Sequence, residues 1–179
     1  MERGWEKELE EINAFRAENY EWLEDYALFM AVKRHFGMKA WTEWDEDIRL
    51  RQPEAVAKYT NQLDEDIRLF VYIQFKFFQQ WAKLRKYAHS KHIGIIGDMP
   101  IYVAMDSADV WADPKSFQLD EKNVPVEVSG VPPDSFSADG QLWGNPLYDW
   151  DAMKRDGYGW WIRRIEGASR LYDVLRIDH

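Results

Sequence analysis

The order of apolar and polar positions changes character near residue 93. Up to there the pattern has helical period. Asn19 can cap a helix over 19–36, with Gly37 as its stop. Leu23, Tyr26, Ala27, Phe29 and Met30 make its broad apolar face, while Glu24, Asp25, Lys33 and Arg34 look outward. Trp41 and Trp44 flank a short connection. The hexamer Asp-Glu-Asp-Ile-Arg-Leu occurs at 45–50 and again at 64–69. Two copies do not make a repeat architecture, and acidic first turns suit the helix dipole, so both read as helix starts. A long helix then begins near Pro53 or Gln62 and runs to His89. Phe70, Ile73, Phe77, Trp81 and Leu84 recur along it at three- and four-residue spacing, which predicts a core-facing stripe. The basic cluster of Lys83, Arg85, Lys86, His89, Lys91 and His92 reads as a solvated helix end that complements the dipole.

Beyond residue 93 the chain reads as strands and loops. Six of the seven prolines and eight of the ten glycines lie at or after Gly94. Ile93, Ile95 and Ile96 form a short β-branched run that Asp98, Met99 and Pro100 end. A helix over 160–171 leads into a second run, Val174 to His179. Two buried strands, each reached from a helix and ending in aspartate, predict neighbouring staves of a parallel α/β assembly. In a (β/α)8 barrel the carboxyl ends of such strands form the active-site face. Between them lie turns at Asp113, at 131–134 and at Asp139, with a small hairpin expected over 117–128. The organisation expected is one incomplete unit rather than independent domains: helical over 1–92, strand and loop over 93–104, an insertion over 105–158 and a last helix and strand over 159–179.

Composition then narrows the function classes. With 23 Lys and Arg against 32 Asp and Glu, the net charge of −9 argues against nucleic acid or an anionic membrane as the main partner. No cysteine is present, which excludes disulfides, thiolate metal sites and thiol nucleophiles. Charged residues from Glu2 to Glu8 occupy the place where a signal peptide needs apolar ones, so a cytoplasmic protein is expected. Aromatics make up 16% of the chain, mostly core by expectation, although rings also stack on sugar faces.

Asp178 is the first candidate for chemistry. Arg176 precedes it by two, so strand alternation puts both side chains on one face. A neighbouring guanidinium favours an ionised carboxylate, as a carboxylate nucleophile requires; a structural ion pair would look the same. His179 could donate to a substrate hydroxyl. Asp98, ending the earlier strand, could accept hydrogen bonds from sugar hydroxyls or make an Asx turn. The Pro/Gly-rich loop 130–148 carries Phe136, Trp143 and Tyr148, where a stacking role competes with core packing. Asp106, Asp109 and Asp113 lack calcium-loop spacing and read as helix caps. The four histidines have no zinc-ligand spacing, and neither a dinucleotide fingerprint nor a serine elbow is present.

The stretch Ile95-Ile96-Gly97-Asp98-Met99-Pro100-Ile101-Tyr102-Val103-Ala104 closely resembles the amylomaltase family of 4-alpha-glucanotransferases, glycoside hydrolase family 77 of the α-amylase superfamily. So do Asp106-Ser107-Ala108-Asp109-Val110-Trp111, Gly130-Val131-Pro132-Pro133-Asp134, residues 140–148 and Arg176-Ile177-Asp178-His179. Upstream, residues 22–29 are also similar. By that resemblance Asp178 matches the nucleophile and Arg176 the arginine that orients it. His179 and Asp98 match residues that bind the sugar at the cleaved bond. Phe136 and Trp143 match a mobile loop over the acceptor groove. The implied reaction is retaining disproportionation of α-1,4-glucans such as maltooligosaccharides or starch, with no metal or nucleotide cofactor. The acid/base glutamate and a further aspartate of the family come from later strands, so the resemblance is to an internal third of a (β/α)8 enzyme with about two barrel strands. Alone, such a piece is expected to be inactive and marginal or self-associating, wanting the missing barrel segments as partners. A related α-glucan hydrolase and a non-catalytic glucan-binding module are the alternatives.

Overall fold

Helices occupy most of the chain up to Ser90 in the computed structural model, which describes residues 2–178. The chain forms two units that divide between Tyr87 and Ala88. The first holds α1 (Glu2–Lys7), α2 (Leu9–Glu18), α3 (Tyr20–His35), α4 (Glu46–Arg49), α5 (Pro53–Gln62) and most of α6 (Asp64–Ser90). Both acidic hexamers do mark helix starts, at α4 and α6, and Pro53 takes the first turn of α5, where its missing N–H costs nothing. Asn19 stands between α2 and α3, but its side chain caps no backbone N–H. It is buried, donates to the Phe15 carbonyl at 2.8 Å and accepts from the Trp22 indole at 3.2 Å, so it ties two helices together instead. Gly37 stops α3 as expected: at φ +66° it turns the chain back, and the Met38 N–H reaches the Lys33 carbonyl at 2.8 Å.

The core of this unit is built from Ile12, Leu23, Ala27, Leu28, Phe29, Ala31, Val32, Trp41, Trp44, Ile48, Ala55 and Tyr59, with Leu63, Ile67, Val71 and Phe75 from the end of α5 and α6. The stripe expected to face the core on α6 is the wrong one. Ile73, Phe77 and Leu84 are 46%, 45% and 53% exposed, and Phe70 and Trp81 are only half-buried. The helix carries two apolar stripes, and the one set by Ile67, Val71 and Phe75 at four-residue spacing is the buried one.

The second unit contains the two expected parallel strands, β1 (Ile96–Pro100) and β4 (Val174–Asp178), with α7 (Ala108–Ala112), α8 (Trp150–Arg155) and α9 (Gly159–Leu171). Asp98 and Pro100 lie within β1 rather than after it, and pair with Arg176 and Asp178. Gly97 is required by packing: a Cβ there would stand 2.0 Å from the Tyr172 ring. The strands are not buried as predicted. In β1 only Gly97 and Met99 are buried, and no β4 residue is, because two strands form a sheet with both outer edges unpaired by any other described strand. The Asp173 carboxylate accepts from the Ile95 N–H at 2.8 Å and lies 2.9 Å from His89 Nε2, so His89, at least, of the cluster read as a solvated helix end faces a carboxylate.

The hairpin expected over 117–128 is instead a short turn with a single bridge between Leu119 and Pro125, held by Asp120, which accepts from the Lys122 and Val124 N–H groups. The two backbone donors hold the Asp120 carboxyl below its ordinary pKa. The extended hairpin lies later, where β2 (Val128–Val131) pairs antiparallel with β3 (Gln141–Pro146), inside the segment read as a loop. The helix cap expected from Asp106, Asp109 or Asp113 comes from Ser107, whose hydroxyl accepts from the Val110 N–H. Among the described residues, no helix is long and apolar enough to cross a membrane.

Candidate functional site

The side chains singled out on the two strands meet at their carboxyl ends. Asp98 and Arg176 are register partners, and residues two apart on one strand share a face, so Asp178 comes to the same side. Arg176 grips Asp98 with both arms, Nε to Oδ1 at 3.0 Å and Nη2 to Oδ2 at 2.8 Å. The same Nη2 donates to Asp178 Oδ1 at 3.1 Å. One guanidinium therefore joins two carboxylates from different strands, with two hydrogen bonds to the first and one to the second. Donation of hydrogen bonds to Asp98, followed by the charges of both aspartates, raises the Arg176 pKa above its ordinary value. All three side chains are well exposed to solvent. Exposed ion pairs stabilise a fold little, so the fork geometry matters here for direction more than for stability.

The backbone beneath this cluster is held from behind. The Ile101 N–H donates to the Asp178 carbonyl at 3.1 Å. The Ile101 carbonyl in turn accepts from the Tyr148 hydroxyl at 2.6 Å and from Arg164 Nη1 at 3.0 Å, and Arg164 Nη2 reaches the Pro100 carbonyl. Asn145 of β3 donates to the Val103 carbonyl at 2.9 Å, fixing the next turn of chain.

Of the aromatic trio, Tyr148 is corrected. Only 1% of it is exposed; its ring is enclosed by Tyr102, Phe117, Trp160 and Trp161, so it has no face for a sugar. Burial pushes its hydroxyl pKa up to about 12, with the Arg164 charge opposing. Phe136, in contrast, is 95% exposed at the turn between β2 and β3. Asp134 shapes that turn by accepting from the Phe136 and Ser137 N–H groups, each at 2.8 Å. Trp143 is half-buried, with its indole donating to Gln141 and its ring centroid 6.4 Å from that of Tyr102. His179 lies outside the described residues. No group of three or more acidic or histidine side chains that could hold a metal occurs among the described residues.

Tyr102, Asn145 and Arg164 escaped the sequence reading. Arg164 left a signal: it follows Trp160 by four and Trp161 by three, a cation placed over two indoles on one helix face.

The model of the 4-alpha-glucanotransferase family, glycoside hydrolase 77, matches residues 2–179. The chain is 47% identical over 174 residues to a 4-alpha-glucanotransferase of Clostridium butyricum, covering 97% of this chain and 36% of that protein. A 4-alpha-glucanotransferase of Streptococcus pneumoniae is 48% identical over 173 residues, covering 96% and 34%. Among solved structures, an amylomaltase from Streptococcus agalactiae in complex with acarbose superposes with a TM-score of 0.92 at 48% identity, covering 97% of this chain and 35% of that one. The chain thus spans about a third of the length of the curated relatives it matches.

Proposed function

This chain belongs to the 4-alpha-glucanotransferase family, and from that premise we propose that it is an internal piece of a disproportionating enzyme with a (β/α)8 barrel, to which it contributes two staves and the nucleophile. In this reading the barrel is one incomplete domain over 1–179, and the whole enzyme moves α-1,4-glucan segments between maltooligosaccharides or starch chains in the cytoplasm. The observation that carries it is the Asp98–Arg176–Asp178 cluster at the carboxyl ends of two parallel strands.

Asp178 attacks the anomeric carbon and forms a glycosyl ester while a second carboxyl group protonates the departing glucan oxygen; an acceptor sugar hydroxyl, losing its proton to that same group, then displaces the ester with net retention. Arg176 aims the carboxylate: its fork is locked on Asp98, so its remaining hydrogen bond fixes one oxygen of Asp178. Asp98 and His179 bind hydroxyls of the sugar at the cleaved bond. Phe136 and Trp143 line the acceptor side, where a closed hairpin would favour a sugar over water.

A retaining displacement needs a second carboxyl group about 5–5.5 Å from the first. The family draws it from a later strand, outside the third of the relatives that this chain spans. The 179-residue chain alone is therefore expected to release no glucose from maltotriose; turnover by it would sink this part of the reading. For the chemistry itself, the segment restored to the length of its relatives should be labelled by a mechanism-based glycosyl fluoride on the peptide bearing Asp178. Asp178→Asn should abolish the label. Glucan binding without any label would favour a non-catalytic module.

A further inference from the structure

We propose that Arg164, acting with Tyr148, is a positioning residue for Asp178: together they brace from behind the main chain that carries the candidate nucleophile. The inference rests on the reading of Asp178 given above for its catalytic meaning, and on geometry for everything else.

The connection has two links. Pro100 is the register partner of Asp178, and the Ile101 N–H donates to the Asp178 carbonyl. Both carbonyls of this Pro100–Ile101 pair are held by the Arg164 fork, one arm to each. The Tyr148 hydroxyl donates to the Ile101 carbonyl and accepts from Arg164 Nη1 at 3.2 Å, closing the network. The guanidinium is itself fixed, with its carbon 5.2 and 5.1 Å from the ring centres of Trp160 and Trp161. A planar fork clamped between two indoles and two carbonyls has little freedom, and lysine could not reproduce it. At the open edge of a two-stranded sheet the carbonyl of a strand end ordinarily faces water. Here a charged side chain from α9 takes that place, next to the one residue whose direction the reaction depends on.

The brace predicts a local effect, and amide exchange in the 179-residue chain reads it. Arg164→Met, which keeps the stem over the indoles but removes the fork, should speed exchange of the Ile101 amide and of the Arg176 Nε–H about tenfold. The Met153 and Gln118 amides, hydrogen-bonded to the Asp149 and Leu147 carbonyls in the same unit, should stay within about twofold. Arg164→Lys should fall between. Unchanged Ile101 exchange, or equal acceleration of all four probes, would overturn the proposal, the second because it would mean general loosening. If Arg164→Met does not fold, Arg164→Lys and Tyr148→Phe decide by the same criterion. In the restored-length protein Arg164→Met should lower kcat about tenfold and leave KM within about twofold. Absence of any transferase activity there would defeat the functional reading while leaving the exchange result standing.

Discussion

At Arg176 the distinction between charge and geometry becomes testable. Lysine would keep the cation but not two parallel hydrogen bonds to Asp98 and a third to Asp178. Arg176→Lys in the restored-length protein is expected to slow labelling of Asp178 by about 10²-fold, measured as the rate of covalent modification. Tyr148 gives a pH prediction. Its folded-state pKa, about 12, exceeds the ordinary value of 10.0. The unfolded chain therefore loses this proton first, so the contribution is complete below pH 10, declines as pH rises from there and is gone above 12. Thermal melts from pH 9 to 12 should show a steeper alkaline fall for the wild type than for Tyr148→Phe. The sequence revealed Asp98, Arg176 and Asp178 because strand alternation fixes where residues two apart point. It misjudged Tyr148 because a ring in a Pro/Gly-rich segment carries no local mark of burial; its enclosure comes from Phe117, Trp160 and Trp161, distant in sequence.

Elements were legible where one pattern had one solution. The strands β1 and β4 each follow a helix, and their parallel pairing came from that order alone. On α6 the pattern had two solutions, since both apolar stripes keep helical spacing and only neighbouring helices choose between them. Ile67→Ala is expected to cost about 2–5 kcal/mol and Ile73→Ala under about 0.5 kcal/mol in denaturant unfolding, because only the first leaves a cavity. The β2–β3 hairpin was missed because its prolines and glycines read as loop, whereas they shape its turn and bulge. In β1 the lack of a side chain at Gly97 is what admits the Tyr172 ring. Gly97→Ala should destabilise the second unit by about 1–3 kcal/mol, visible as a lowered Tm.

In the molecule as a whole, each unit leaves large apolar side chains in solvent, Ile73, Phe77 and Leu84 on α6 in the first and Ile96, Val174 and Ile177 on the strands in the second. A net charge of −9 opposes their association. Sedimentation should therefore show self-association that grows between 0.05 and about 0.5 M salt as the repulsion is screened; a salt-independent monomer would contradict it. The sequence changes character near residue 93, but the division falls earlier, between Tyr87 and Ala88, because it lies inside a continuous helix without proline or glycine to mark it. The pairing of Asp98 with Arg176 has a further consequence, in time. The two are 78 residues apart. At a synthesis rate of about 5–20 residues per second, β1 waits roughly 4–16 s after leaving the ribosome's active centre before its partner strand exists. Throughout that interval its edge is open, and the interval is long enough for a chaperone to find it.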